Sequence, residues 1–253
     1  MRTTLRRHPY VSPASTRISL RLPGFDGRLR LAQLTDLHVG LVTPEALVQE
    51  AVDLAVDSEP DVVVLTGDFV AHTIGALPRL VRLLSQLPGP KIAVLGNHDH
   101  RAGADKVTGA LTDAGVDVLD NRWVWLDAHG LAFAGVDDRT YQKSDAEKAT
   151  AGLEGRPVIG LAHHPAGAAE LWDRGVPLVL SGHTHGGQIH HRRFTPWLYE
   201  KIEGTRHVSG LHGEEGRQVY VCPGIGAAVV PWRIGSEGAR AVAVIDVEGA
   251  RAA

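Results

Sequence analysis

Three times in its first half the chain repeats one arrangement: an apolar run, a polar cluster, then a helix-forming stretch. Leu29-Arg-Leu-Ala-Gln-Leu34 alternates and ends in Thr35-Asp-Leu-His38. Asp61-Val-Val-Val-Leu65 is rich in β-branched residues, as a buried parallel strand requires, and ends in Thr66-Gly-Asp68. Lys91-Ile-Ala-Val-Leu95 ends in Gly96-Asn-His-Asp-His100. The first helix is expected from Thr43-Pro44, an N-cap and first-turn pair, with Leu47, Ala51, Leu54 and Ala55 on one face. Others are expected over Leu77 to Leu87, stopped by Pro88-Gly-Pro90, and over about Ala104 to Ala114. Strands alternating with helices predict an α/β fold with a mostly parallel sheet. Such sheets bind ligands at the carboxyl ends of their strands, where all three polar clusters fall.

The middle third changes character. Val116 to Leu119, Trp123 to Leu126 and Leu131 to Gly135 read as closely spaced short strands, which suggests antiparallel pairing. Gln142 to Gly152 is charged and reads as helical. Pro157-Val-Ile-Gly-Leu161 then leads to Ala162-His-His-Pro165, and a helix over about Ala166 to Arg174 leads to the apolar run Val176 to Leu180. That run ends in Ser181-Gly-His-Thr-His-Gly-Gly-Gln188. In an extended strand, residues i and i+2 share a side, so His183 and His185 could reach two neighbouring ions, with Gly182, Gly186 and Gly187 permitting a tight backbone. Closing strands are expected near Gln218 to Cys222 and Ala241 to Val247. Residues 1–28 read as an irregular lead-in with one edge strand, Arg17 to Leu22, and residues 29–253 as a single domain without repeats or linkers.

Composition narrows the function classes. The chain has 14 histidines against one methionine. His8, His129, His207 and His212 lie in polar or glycine-rich surroundings and are expected at the surface; the others fall in or beside loops that follow apolar runs. A net charge of -3 argues against a strongly basic nucleic-acid-binding surface. The lone Cys222 excludes an internal disulfide, fits a reducing compartment, and reads as a small buried residue of a strand. No run is apolar enough to span a bilayer, and Met1 to Arg7 is not followed by the apolar segment of a signal peptide. The expected location is the cytoplasm, with peripheral contact to the membrane allowed.

The loops at the strand ends offer Asp36, His38, Asp68, Asn97, His98, His163, His183 and His185. These are two carboxylates, one amide oxygen and several imidazoles from five segments. Mixed nitrogen and oxygen ligands suit Zn, Fe or Mn and are too nitrogen-rich for a calcium cage. They exceed the needs of one tetrahedral ion and suit two ions, ~3.5–4 Å apart, sharing a carboxylate.

Together the segments Asp36-Leu-His38, Gly67-Asp68, Gly96-Asn-His-Asp99, His163 and Gly182-His-Thr-His185 resemble the motif set of the calcineurin-like metallophosphoesterases, all five in order across roughly residues 29 to 247. Gly186-Gly-Gln188, Tyr220-Val-Cys-Pro-Gly-Ile-Gly226 and Pro231-Trp-Arg233 resemble a bacterial subgroup of that superfamily, some members of which are membrane-associated or act on lipid-linked diphosphates. The resemblance implies a four-layer α/β/β/α sandwich of two mixed sheets flanked by helices. It implies two divalent or transition-metal ions, of Mn, Zn, Fe or Ni type. Asp36, His38 and His185 would hold the first, Asn97, His163 and His183 the second, and Asp68 would bridge them. His98 would face the phosphoryl group as electrostatic stabiliser or general acid. The implied reaction is hydrolysis of a phosphodiester or diphosphate by in-line attack of a metal-bridging hydroxide. A nuclease or a phosphomonoesterase could use the same centre, and a non-catalytic binding scaffold is the reading of a different class.

Several positions leave alternatives open. The family pattern places its ligand two residues before a proline, which selects His163 over His164; His164 would then point away or line the cleft rim. Many members carry an acid three positions after the bridging Asp to orient the catalytic histidine; here stand Ala71 and His72. Asp137-Asp138 could supply that carboxylate, or form a solvated turn. His100 and Arg101 could touch a substrate phosphate, or form an exposed helix lead-in. Arg192-Arg-Phe-Thr-Pro-Trp-Leu-Tyr199 suits a membrane interface or lipid-like substrate, or, as the favoured reading, a loop anchored by buried aromatics. The substrate is expected to be a phosphorylated small molecule or a lipid-linked phosphate.

Overall fold

Val62, Val63, Val64 and Leu65 are all buried, yet they face two different cores. Alternate strand residues point to opposite faces. Val63 and Leu65 therefore pack under helices, while Val62 and Val64 pack against a second sheet. This one strand sets the layering of the molecule. The computed structural model describes residues 11–188, 191, 194–214, 216–227, 233 and 239–250.

The first sheet holds β1 (Ala14–Pro23), β2 (Arg28–Leu34), β3 (Val62–Leu65), β4 (Lys91–Ala93) and β5 (Val116–Val118). The second holds β6 (Arg122–Leu126), β7 (Leu131–Gly135), β8 (Val158–Leu161), β9 (Leu178–Ser181), β10 (Gly210–Glu214) and β11 (Arg217–Val221). The chain then returns as β12 (Ala241–Ala250) to the first sheet, giving the orders β1-β12-β2-β3-β4-β5 and β10-β11-β9-β8-β7-β6. Both sheets are mixed: β12 pairs antiparallel with β2, and so do β6 with β7 and β10 with β11, the other pairs being parallel. Leu31, Val62, Val64 and Ile92 meet Phe133, Ile159, Leu178 and Leu180 between the sheets. Helices α1 (Glu45–Asp57), α2 (Leu77–Leu84) and α3 (Asn97–Asp113) cover the outer face of the first sheet. Helices α4 (Ala146–Thr150) and α5 (Gly167–Trp172) cover that of the second. The result is the expected four-layer α/β/β/α sandwich. A sixth helix, α6 (Phe194–Glu203), follows the last histidine motif.

Several local expectations need correction. The strand expected at Arg17 to Leu22 runs from Ala14 to Pro23 and pairs along its length with β12, so much of the expected lead-in is sheet. β5 does not join an antiparallel set with β6 and β7; it pairs parallel with β4, because the long α3 between them makes the crossover that parallel strands need. Thr43 does not cap α1: Pro44 holds the cap position, and Thr43 Oγ1 accepts from the Ala227 N–H at 3.2 Å. The third helix starts at Asn97, inside the polar motif, with a break at Gly103. Helix formation in the charged 142–152 stretch is confined to α4.

The expected aromatic loop is instead α6, on which Phe194 (54 % exposed) and Trp197 (48 %) face outward, while Arg192, Arg193, Pro231 and Trp232 lie outside the described residues. His129, His207 and His212 are half-buried rather than surface residues, the last two stacked at 4.9 Å, and His8 lies outside the described residues. Cys222 is buried as expected.

Candidate active site

The loops that follow β2, β3, β4, β8 and β9 all emerge at one edge of the sandwich, where the two sheets adjoin. Pairing continues past the strands: Asp36 N–H donates to Gly67 O at 2.9 Å, and His38 N–H to Asp68 O at 2.9 Å. The backbone there is unusual. Asp36, His38, Asp68, His183 and His185 all have positive φ, between 45° and 71°. Each such residue costs on the order of 1–3 kcal/mol and persists only where its surroundings overdetermine it. His183 and His185 are therefore not an extended i, i+2 pair. The strand ends at Ser181, and the turns beyond send the two rings to different neighbours.

Asp99 does much of the overdetermining. Its buried carboxylate accepts from the backbone N–H groups of Asp68 (2.9 Å), Phe69 (2.9 Å), Val70 (3.2 Å) and Gly96 (2.9 Å). Burial, and next the charge of Asp68, push its pKa up to about 7 against those donors. Gly182 makes the other close approach. A Cβ there would overlap Thr35 Oγ1 and Asp36 Oδ2. Without it, His183 N–H reaches Asp36 Oδ2 at 3.0 Å, and Thr35 Oγ1 donates to the same oxygen at 2.7 Å.

The donor atoms fall into two sets. In one, Asp36 Oδ1 lies 3.5 Å from His185 Nε2 and 4.0 Å from His38 Nε2, and the two nitrogens are 3.1 Å apart. In the other, Asn97 Oδ1 lies 3.2 Å from His163 Nε2 and 3.1 Å from His183 Nδ1, these nitrogens being 3.2 Å apart. Asp68 Oδ2 sits between the sets, 3.5 Å from His38 Nε2 and 3.4 Å from His163 Nε2.

Two observations test whether a cation fits. Asp36 Oδ1 is buried with no hydrogen-bond partner among the described residues. His163 donates Nδ1–H to Thr66 O at 2.7 Å and turns Nε2 toward three acceptors at once: Asp68 Oδ2, Asn97 Oδ1 and His183 Nδ1. Burial opposes charge on His163, yet Asp68 and then Asp36 raise its pKa to about 10. One proton cannot serve three acceptors; a multivalent cation can. Burial meanwhile drives the His38 pKa down to about 3 and holds His185 well below the usual imidazole range, leaving both rings neutral, as metal ligands must be. The residues present fit metal ions.

His98 stands at the opening, its backbone N–H on Asp68 Oδ1 at 2.9 Å and its ring edge-on to His38 at 4.7 Å. The missing acid at position 71 is replaced by main chain: His98 Nδ1–H donates to Ala71 O at 2.6 Å. Asp137 does not serve His98. It pairs with His100 Nε2 at 2.6 Å, and His100 stacks on Tyr141 at 5.2 Å, so neither a solvated turn nor an exposed helix lead-in describes these residues. Arg101 is exposed. His164 turns away from the donor sets and packs against His183 at 4.4 Å.

Three neighbours carried no separate signal of their role. Asp99 was visible only as the last residue of its motif. Arg233 donates from Nη2 to His185 Nδ1 at 2.9 Å and to Gly226 O at 2.6 Å, and only the Pro-Trp-Arg tripeptide pointed to it. Glu203, at the end of α6, lies 3.4 Å from His164 Nε2 and 3.5 Å from His183 Nε2, and no motif contains it.

A family model described as calcineurin-like phosphoesterase matches residues 29–187. The chain is 30% identical over 203 residues to Phosphodiesterase YaeI of Escherichia coli, covering 77% of this chain and 74% of that protein. It is 32% identical over 221 residues to the uncharacterized metallophosphoesterase YkuE of Bacillus subtilis, covering 83% and 76%. Among solved structures it is similar in fold to TT1561 of Thermus thermophilus, with a TM-score of 0.54 and 16% identity over 77% of this chain and 89% of that one. No helix among the described residues is long and apolar enough to cross a membrane. The chain belongs to the calcineurin-like phosphoesterases, metal-dependent hydrolases of phosphoric esters.

Proposed function

We propose that this protein hydrolyses a phosphodiester or diphosphate bond at a dinuclear metal centre. Asp36, His38 and His185 hold one ion, Asn97, His163 and His183 the other, and Asp68 belongs to both. The observation that carries this reading is the position of Asp68 Oδ2, within 3.5 Å of a ring nitrogen from each donor set. When bound, the two ions supply a water acidified toward neutral pH and neutralise charge on the phosphoryl oxygens. The chain's own residues do the rest. Asp99 holds the Asp68 loop through four N–H donations. His98, its Nδ1 engaged by Ala71 O and its backbone N–H by Asp68 Oδ1, keeps Nε2 for the phosphoryl group. There it stabilises the leaving oxygen or gives it a proton.

The name of the Escherichia coli relative favours a diester over a monoester substrate. Nuclease action is disfavoured by the net charge of -3. A non-catalytic scaffold has no use for a buried Asp36 Oδ1 without a hydrogen-bond partner among the described residues, or for five strained site residues. An apolar arm on the substrate, as in a lipid-linked phosphate, would find Phe194 and Trp197 exposed on the helix whose far end reaches His183.

The test combines metal analysis with turnover. The protein is stripped, reloaded with Mn, Zn, Ni or Fe, and offered generic mono- and diesters, nucleotides and lipid diphosphates. Two ions per chain and hydrolysis of a diester or diphosphate are expected. Undiminished turnover in Asp68→Asn would falsify the mechanism.

A further inference from the structure

Resting on the two-ion reading above, the geometry points to Glu203 as a positioning residue that fixes the orientation and tautomer of His183 at the second ion. The chain of reasoning begins at Ala166. Its backbone N–H donates to His164 Nδ1 at 3.0 Å, so the proton of the neutral His164 ring is on Nε2. That Nε2–H faces Glu203 Oε2 at 3.4 Å. His164 therefore anchors the carboxylate from one side. From the other side His183 Nε2 approaches the same oxygen at 3.5 Å. A carboxylate has only lone pairs to offer, so His183 must also present N–H there. Its Nδ1 is then bare, and it is Nδ1 that meets Asn97 Oδ1 and His163 Nε2 at 3.1 and 3.2 Å.

An imidazole that binds a metal through one nitrogen ordinarily donates from the other to a carboxylate or carbonyl, which orients the ring and makes the ligating nitrogen more basic. His163 obtains this from Thr66 O. Among the described residues Glu203 supplies it for His183. The carboxylate is held in place by its helix: α6 is tied to the histidine loop through Tyr199 Oη, which donates to Thr184 O at 3.0 Å. His164, rejected as a ligand, thereby acquires a duty: its ring packs on His183 and steadies the carboxylate behind it.

The experiment is manganese titration of the stripped full-length protein, read by bound-metal analysis and by the exchange-coupled electron paramagnetic resonance signal of an ion pair. Wild type is expected to take up two ions and show the coupled signal. Glu203→Ala should bind its second ion ~10–100-fold more weakly, with the first ion unaffected and the coupled signal lost at limiting metal. Glu203→Gln, which keeps an acceptor oxygen, should recover part of that affinity, and serves if the alanine variant folds poorly. Equal affinity for both ions in wild type and both variants overturns the proposal while leaving the two-ion reading intact. So does a third ion in wild type that Glu203→Ala abolishes, since Glu203 would then be a ligand itself. Wild type that takes up fewer than two ions overturns the two-ion reading and this proposal with it.

Discussion

The two halves of the site share Asp68 but are supported in opposite senses. Behind His163 and His183 stand oxygen acceptors, Thr66 O and the Glu203 carboxylate. Behind His185 stands a cation, the Arg233 guanidinium, donating to Nδ1. A guanidinium only donates, so here Nδ1 of the neutral His185 ring accepts and Nε2 carries the proton toward His38 Nε2 at 3.1 Å; holding an ion through Nε2 requires that proton to leave and the Arg233 contact to give way. Acceptors behind a ring enrich its ligating nitrogen and a guanidinium depletes it, so the first half depends more on its carboxylate, Asp36. Enclosure differs too. Asp36 and His38 have no exposed surface, whereas Asn97 and His183 are only half-buried.

Breaking the shared element should have the largest effect. Asp68→Asn removes a charge common to both halves, and turnover is expected to fall below detection with loss of metal from both, checked by metal analysis beside kinetics. Retention of both ions would mean the halves stand independently. His98→Ala comes next: kcat is expected to fall by about 10²–10⁴-fold with both ions retained, since His98 is assigned to the phosphoryl group rather than to a metal. Metal loss in that variant would move His98 into the first half.

Gly182→Ala probes the seam. The added Cβ pushes on Thr35 and Asp36 in one half and shifts the backbone of His183 in the other. Overpacking of this kind costs about 1–3 kcal/mol, readable from the denaturant midpoint, and both ions should weaken together. The smallest effect is expected from Trp197→Ser. At a half-exposed position stability should change by less than about 0.5 kcal/mol. A rise in KM confined to substrates with an apolar arm would tie α6 to substrate binding, and an unchanged KM across the panel would remove it from that role.

Much of the layering was legible because buried strands announce themselves. The β-branched run at Val62 to Leu65 and the polar clusters after each apolar run place the loops without further help. β5 was misread because a three-residue strand carries no record of its partner; the helix before it decides the direction of pairing. α6 was missed because a basic, aromatic stretch with Pro196 inside the first helical turn looks like a loop until its last turn finds His183 and His164.

Within the site the same division holds. Residue types capable of metal chemistry, and the motifs that resemble the family's, are local properties and could be read from the chain. Which nitrogen of each histidine faces inward is not local. It follows from the group behind the ring, and those groups come from distant segments: Thr66 for His163, Ala71 for His98, Arg233 for His185, Glu203 for His183. Contacts across 97, 27, 48 and 20 residues of chain (163 − 66, 98 − 71, 233 − 185, 203 − 183) leave no periodic trace in sequence. The chain alone determined that a histidine-rich, metal-capable edge would form at the strand ends. Only the packing of the two sheets and α6 decided how each ring is held, because a ring's direction is set by contacts that exist only after folding.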